Sequence, residues 1–263
     1  MKRKREVVAL VLLPLIYLYI VELPPVFFFV LVLLVSSTAQ WEFYSMYRVK
    51  GLFKAVGLLS GGLVGYFFYM GHLNGVFYVV VIFFCLTVLL RLLSVGKGPE
   101  DALLDMSPVI TGFLYIPVLT GFMIMIRGVG PGWVIYAGAV AWASDSCAYY
   151  IGKRYGRRKL YPSVSPNKTV AGVVGSAGGG VVSSVLIKVF LLHSMSFDHA
   201  FLLGLIVGSV TVLGDLAESM FKRDSGVKDS SHLIPGHGGV LDKIDGIVFV
   251  TPVVYVYLKL FLI

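Results

Sequence analysis

Charge and cysteine are what this sequence has least of. Only 14% of its 263 residues are Asp, Glu, Lys or Arg, against about 25% in an ordinary soluble domain. With 57% hydrophobic residues and a mean hydropathy of +0.88, that shortfall excludes a water-soluble globule and a disordered chain. The two cysteines, Cys85 and Cys147, fall in apolar stretches and lack the spacing of metal ligands, so a disulfide framework and a cysteine metal motif are excluded too. Strict apolar–polar alternation is missing. Runs such as 26–30 and 78–84 are apolar or aromatic throughout, which excludes a membrane β-barrel. No internal repeat and no low-complexity tract is present. Nor is there a basic helix or an aromatic platform for single strands, so the net charge of +8 does not imply a nucleic-acid partner.

What is present is a succession of apolar stretches, near 7–21, 26–43, 54–70, 75–93, 107–126, 131–150, 170–192, 199–221 and 244–262. A span needs about 20 mostly apolar residues, and backbone in lipid must satisfy its own hydrogen bonds. The reading is therefore an all-α polytopic integral membrane protein of about nine transmembrane helices. The opening Met1–Arg5 is basic and is followed by an apolar run without a small-residue cleavage site, so this stretch reads as a retained first helix. With the N-terminus cytoplasmic, all basic residues except Arg127, Lys188 and Lys259 fall on one face. This is the positive-inside bias, and it puts the 222–243 loop in the cytoplasm. Trp41, Tyr44 and Tyr47 read as an interfacial belt, residues 99–105 as a solvated acidic loop, and the glycines of 175–180 as a close helix contact.

Ionisable residues are unevenly placed. Residues 1–130 read mainly as scaffold with oligomer contacts, and 131–263 as the catalytic region with its cytoplasmic loops. Asp145 lies within the sixth stretch, Asp215 and Glu218 near the end of the eighth, and Asp242 and Asp245 at the start of the ninth. Ionisable groups at membrane depth are costly and mark functional sites. Asp215 and Glu218 are spaced i,i+3, as are Asp242 and Asp245, so each pair shares one helix face. Carboxylates gathered at one membrane face with phosphate nearby suit Mg²⁺, which takes one or two carboxylates plus substrate oxygens. The intervening loop carries the complementary charges Lys222, Arg223 and Lys228. Its Gly236, Gly238 and Gly239 surround His237, and glycine lets backbone N–H groups approach a phosphate. Spacing alone reaches metal-assisted phosphate chemistry at a membrane surface.

Ser219, Lys222, Arg223, Lys228, Asp229, Ser231, Ile234, Pro235, His237, Gly238, Gly239, Asp242 and Asp245 stand in register with the signature of the CDP-diacylglycerol synthases, or phosphatidate cytidylyltransferases. The chain resembles that family over roughly 140–250. Two further stretches fit. Residues 145–156 resemble its D-x-x-A-Y segment, and 165–172 its S-P-x-K-T segment, with Lys168 and Thr169 in place. Lys243 stands where the family has Arg, and Ala171 where it has Glu. Charge is kept at the first, but the bidentate fork is lost.

The resemblance implies the reaction CTP + phosphatidate → CDP-diacylglycerol + pyrophosphate, in phospholipid biosynthesis at the cytoplasmic membrane, by a homodimer. The catalytic set is Asp215, Lys222, Arg223, Lys228, Asp229, His237, Asp242 and Asp245. Asp215, Asp242 and Asp245 would hold Mg²⁺, with a second cation allowed by the number of acids. Asp145, Lys168, Thr169, Ser219, Gly238, Gly239 and Lys243 would contact substrate. Two other readings stay open at this point: a CTP-dependent lipid-alcohol kinase, and an ion-coupled transporter using the buried carboxylates.

Overall fold

The computed structural model describes residues 17–94, 98–234, 236 and 238–263. The expected stretches become α1 (Pro25–Met46), α2 (Gly51–Tyr69), α3 (Leu73–Leu92), α4 (Ala102–Phe113), α5 (Leu119–Val129), α6 (Pro131–Tyr155), α7 (Val170–Phe190), α8 (Phe197–Asp224) and α9 (Leu241–Phe261). A π-helical turn, Leu114–Val118, joins α4 and α5 into one run. Pro117 lies inside this turn and has no N–H to give to the ladder, which accounts for the local widening. Among the described residues, seven helices are long and apolar enough to cross a membrane, with α4–α5 counted as one. The protein is thus an all-α polytopic membrane protein. The eighth long helix, α6, has 25 residues but carries Asp145, Lys153 and Arg154. Most of the first expected stretch, 7–21, lies outside the described residues.

One element was not expected. Residues 159–169 form a short antiparallel hairpin, β1 (Lys159–Tyr161) with β2 (Ser165–Thr169), where a plain basic loop was read. It delivers the chain directly into α7, whose first turn is capped by Thr169 Oγ1 accepting from Gly172 N (3.1 Å).

Small residues set how closely the C-terminal helices pack. Gly180 of α7 lies against Gly204 and Gly208 of α8, and a methyl group at Gly180 would come within 2.9 Å of the Gly208 Cα. Ser176 Oγ and Ser184 Oγ donate across this seam to the Gly208 and Ala200 carbonyls (2.7 and 2.6 Å). The next seam repeats the device: a methyl at Gly214 of α8 would sit 2.5 Å from the Asp245 carbonyl of α9. Lipid gives helices no hydrophobic reason to associate, so such close backbone contact and cross-helix hydrogen bonding hold the bundle. The expected glycine contact at 175–180 is therefore present.

The N-terminal helices are tied to this unit by polar contacts. Tyr44, expected at the interface, is fully buried. Its hydroxyl donates to the Val109 carbonyl (2.9 Å) and accepts from Gln40 (3.0 Å). Asp105, expected to be solvated, pairs with the buried Arg91 at the end of α3 (2.9 Å). Just beyond α1, Tyr47 donates to the Asp224 carboxylate (2.8 Å) at the end of α8. Burial and that carboxylate both push the Tyr47 phenol up, which keeps it a donor.

Candidate active site

The contact of Gly214 with Asp245 and Gly246 decides where the acids meet. Asp215 follows Gly214 on α8, and a methyl at Gly246 would lie 3.5 Å from Asp215 Oδ1. The two aspartates therefore emerge side by side from touching backbones. Lys168 of β2 reaches into the same place and pairs with Asp215 (2.9 Å). Asp145 of α6 and Asp245 both interact electrostatically with Asp215 and with Lys168. Asp245 Oδ1 accepts from its neighbour Gly246 N (2.9 Å). Three carboxylates from three helices thus face one lysine from the hairpin. A cavity of about 570 Å³ opens on this group and is lined by Asp145, Lys153, Lys159, Lys168, Thr169 and Asp215. Its floor is acidic and its hairpin side is basic.

Asp242 makes its contacts with a different set of groups. Its Oδ1 takes the Lys222 ammonium (2.6 Å), and its Oδ2 accepts from Ser230 N (3.0 Å), Ser230 Oγ (3.0 Å) and Gly239 N (2.7 Å). Lys222 also pairs with Glu218 (2.5 Å). Both oxygens of Asp242 are therefore occupied by protein donors. Lys222, expected to neutralise phosphate, is neutralised by two carboxylates.

The glycine-rich loop differs from expectation in the same way. Gly239 N donates to Asp242, and the next two amides, Val240 N and Leu241 N, donate to Glu42 of α1 (2.9 and 2.8 Å). Ser231 Oγ and Ser230 Oγ also approach Glu42 (2.6 and 3.1 Å). A methyl at Gly239 would come within 2.6 Å of both Glu42 oxygens. Gly238, at φ +84°, is left-handed and lies against Asp242. Gly238 and Gly239 thus admit the protein's own carboxylates, and the Gly239 amide is taken by Asp242. Glu42 is fully buried and acts as a remote cap on α9, its charge set at the positive end of that helix.

Of the other expected residues, Arg223 donates to the Val227 carbonyl (3.0 Å) within the turn that ends α8. That turn closes through Val227 N to Lys222 O and Gly226 N to Arg223 O, with Gly226 left-handed at φ +77°. Lys228, Asp229 and Lys243 are exposed, and Ser219 is half-buried. His237 and Pro235 lie outside the described residues. One participant was missed in the sequence, Glu42; Tyr115 of the π turn, also unremarked there, lies near the acids and interacts electrostatically with Glu218, Asp245 and Asp215. The signal for Glu42 was available, because it is a lone acid inside an apolar stretch.

Among the described residues, no three His, Cys, Asp or Glu side chains form a ready-made metal cage. The Asp215–Asp245 pair nevertheless fits the donor chemistry of Mg²⁺, which is commonly held by one or two carboxylates and completed by substrate phosphate and water.

The cytidylyltransferase family model matches residues 3–261. A Bacillus subtilis protein named phosphatidate cytidylyltransferase is 32% identical over 98% of this chain and 98% of its own length. Proteins of the same name from Synechocystis and Haemophilus influenzae are 48% and 42% identical. They align with 49% and 45% of this chain, and with 43% of their own length in each case.

Proposed function

The chain belongs to the cytidylyltransferase family, and we propose that it transfers the cytidylyl group of CTP to phosphatidate, releasing pyrophosphate. The observation that carries this reading is a cavity lined by Asp145 and Asp215 together with Lys153, Lys159 and Lys168, with Asp245 interacting electrostatically with Asp215, Asp145 and Lys168 beside it. In the reaction a phosphatidate oxygen forms a bond to the α-phosphorus of CTP. The bond from that phosphorus to the bridging oxygen breaks, and pyrophosphate leaves with the electron pair. The nucleophile is already anionic near neutral pH, so no strong base is needed. The difficulty is to bring two polyanions together and to hold the added negative charge.

Asp215 and Asp245 would hold Mg²⁺, which would supply charge neutralisation at the phosphates and alignment of the two substrates. Lys168 neutralises phosphate oxygens from the opposite side and restrains Asp215 through their ion pair. Lys153 and Lys159, on the cavity rim, attract the nucleotide. Asp242, Lys222, Glu218 and Glu42 act one layer out. They fix the 228–241 loop and the start of α9, and so fix where Asp245 points.

The reading places the site at the cytoplasmic face of the inner membrane, supported by the distribution of basic residues. It includes a homodimer, supported by the family resemblance. The lipid's acyl chains stay in the bilayer while its head group enters the cavity between helices.

The test is purified protein in detergent with phosphatidate, Mg²⁺ and CTP labelled separately in cytidine and in the γ-phosphate. Cytidine label in the lipid and γ-label in pyrophosphate is the expected result. Transfer of γ-label to a lipid alcohol, or ion flux into sealed vesicles without product, would refute it.

A further inference from the structure

Tyr115 is 6% exposed, and its hydroxyl is buried without a hydrogen-bond partner among the described residues. Such a group costs free energy unless something else satisfies it. Its ring is fixed on three sides, with Phe43 of α1 at 6.0 Å, Phe221 of α8 at 5.2 Å and Phe249 of α9 at 5.9 Å between centroids. Phe221 follows Glu218 by three residues and Phe249 follows Asp245 by four, so the ring rests one turn beyond each of those acids. The hydroxyl interacts electrostatically with Glu218, Asp245 and Asp215 but hydrogen-bonds to none of them. The backbone that presents it is the π turn Leu114–Val118. Such single widened turns inside α-helices recur at functional sites.

Resting on the cytidylyltransferase reading, we propose that Tyr115 is a substrate-contacting residue whose hydroxyl donates a hydrogen bond to a phosphate oxygen brought to Asp215 and Asp245. A neutral phenol suits the place. It donates to an anion without adding a charge that would have to be buried when no substrate is bound. The same chemistry is offered by the lipid phosphate and by the nucleotide phosphates.

Tyr115→Phe removes only the oxygen and keeps the ring and its three aromatic neighbours. Because the hydroxyl has no hydrogen-bond partner to lose among the described residues, the variant should melt at or above the wild-type temperature. Cytidylyl transfer should fall about 10- to 100-fold, the range for a hydrogen bond to a charged acceptor. A raised KM for phosphatidate at unchanged KM for CTP assigns the contact to the lipid phosphate. The converse assigns it to the nucleotide, and a fall in kcat alone assigns it to the transition state. Wild-type kinetics in the variant would overturn the proposal. So would loss of activity in step with loss of thermal stability, which would mark a structural bond to a carboxylate. Stabilisation of the protein by CTP and by phosphatidate, measured by melting without turnover, gives a second readout. A variant that keeps both shifts at full size and shows no kcat defect refutes the Tyr115 contact alone. A wild type that shows neither shift and no transfer refutes the functional reading, and the Tyr115 proposal with it.

Discussion

Glu42→Gln is the substitution that tests most directly whether the N-terminal helices build the site. Glu42 is fully buried: its Oε1 accepts from Val240 N and Ser231 Oγ, and its Oε2 accepts from Leu241 N and lies within reach of Ser230 Oγ, whose one proton is shared with Asp242 Oδ2. Glutamine keeps the shape but turns one oxygen into an NH₂ group. In either orientation one amide of the α9 amino end then faces a donor. The serines can rotate away, but Val240 and Leu241 cannot. An unsatisfied buried N–H costs about 1–3 kcal/mol, and the surviving bonds lose their charge assistance, which roughly doubles hydrogen-bond strength. The sum is roughly 2–4 kcal/mol, a large share of the ~5–15 kcal/mol that holds a typical protein folded. The variant should melt at least ~4 °C lower in detergent. Amide exchange should quicken first in peptides covering 228–245, and cytidylyl transfer should drop because Asp242 and Lys222 lose their frame. A melting temperature within about 1 °C of wild type, with exchange across 228–245 unchanged, would refute the capping role of Glu42.

Three further outcomes follow from the same geometry. Asp215→Asn and Asp245→Asn should each abolish cytidine incorporation while leaving the melting temperature near wild type, and substantial turnover in both would remove them from the reaction centre. Lys168→Met should lower kcat/KM about 100-fold, the scale of losing one well-placed charge in a dry site, whereas Lys168→Arg should recover part of it; equal rates in wild type and Met variant would count against the lysine. Gly214→Ala forces a methyl into the Asp245 carbonyl of α9, at 2.5 Å. It should separate Asp215 from Asp245 and cut activity more than the same change at Gly178, where a methyl meets nothing within 4 Å.

How much of this was readable in advance depends on the physical scale of each feature. The helical order was readable because lipid imposes length and internal hydrogen bonding on every span, and α1 to α9 lie where apolar composition put them. The signature residues were readable as a group, because acids and bases so close together in an apolar chain are conspicuous. Their partners were not. Helical spacing placed Asp242 and Asp245 on one face, yet the loop closes over Asp242 with Ser230 and Gly239. Asp245 instead turns to the group that includes Asp215 and Asp145. That division depends on the path of a loop, which no periodicity records. Glu42 lies 188 residues from Ser230 in sequence, so its role is a long-range fact. Tyr115 resembles any aromatic residue of an apolar helix until the π turn directs it. The 159–169 hairpin was missed because two strands this short carry too little alternation to stand out from a basic loop.

The acids of this protein differ chiefly in how their charge is met. Glu42 is met by neutral donors, two of them at a helix amino end. Glu218 and Asp242 share Lys222, and Asp242 has three further hydrogen bonds. Asp145, Asp215 and Asp245 have Lys168 among them, and Lys168 pairs directly with Asp215. Like charges held together in a medium of low polarisability repel far more strongly than in water, and an uncompensated buried charge is strongly destabilising. Three carboxylates gathered around one lysine beside an open cavity therefore favour a cation-bearing ligand there, whereas both oxygens of Asp242 already have protein donors. A nucleotide triphosphate arriving with its divalent ion is such a ligand. In the proposed reaction the carboxylates would draw the ion and the basic hairpin the phosphates, so that neither substrate anion would enter the site uncompensated. Loop and cavity thus have separate tasks. The loop's ion pairs and hydrogen bonds hold geometry, while the cavity is left open for the substrates.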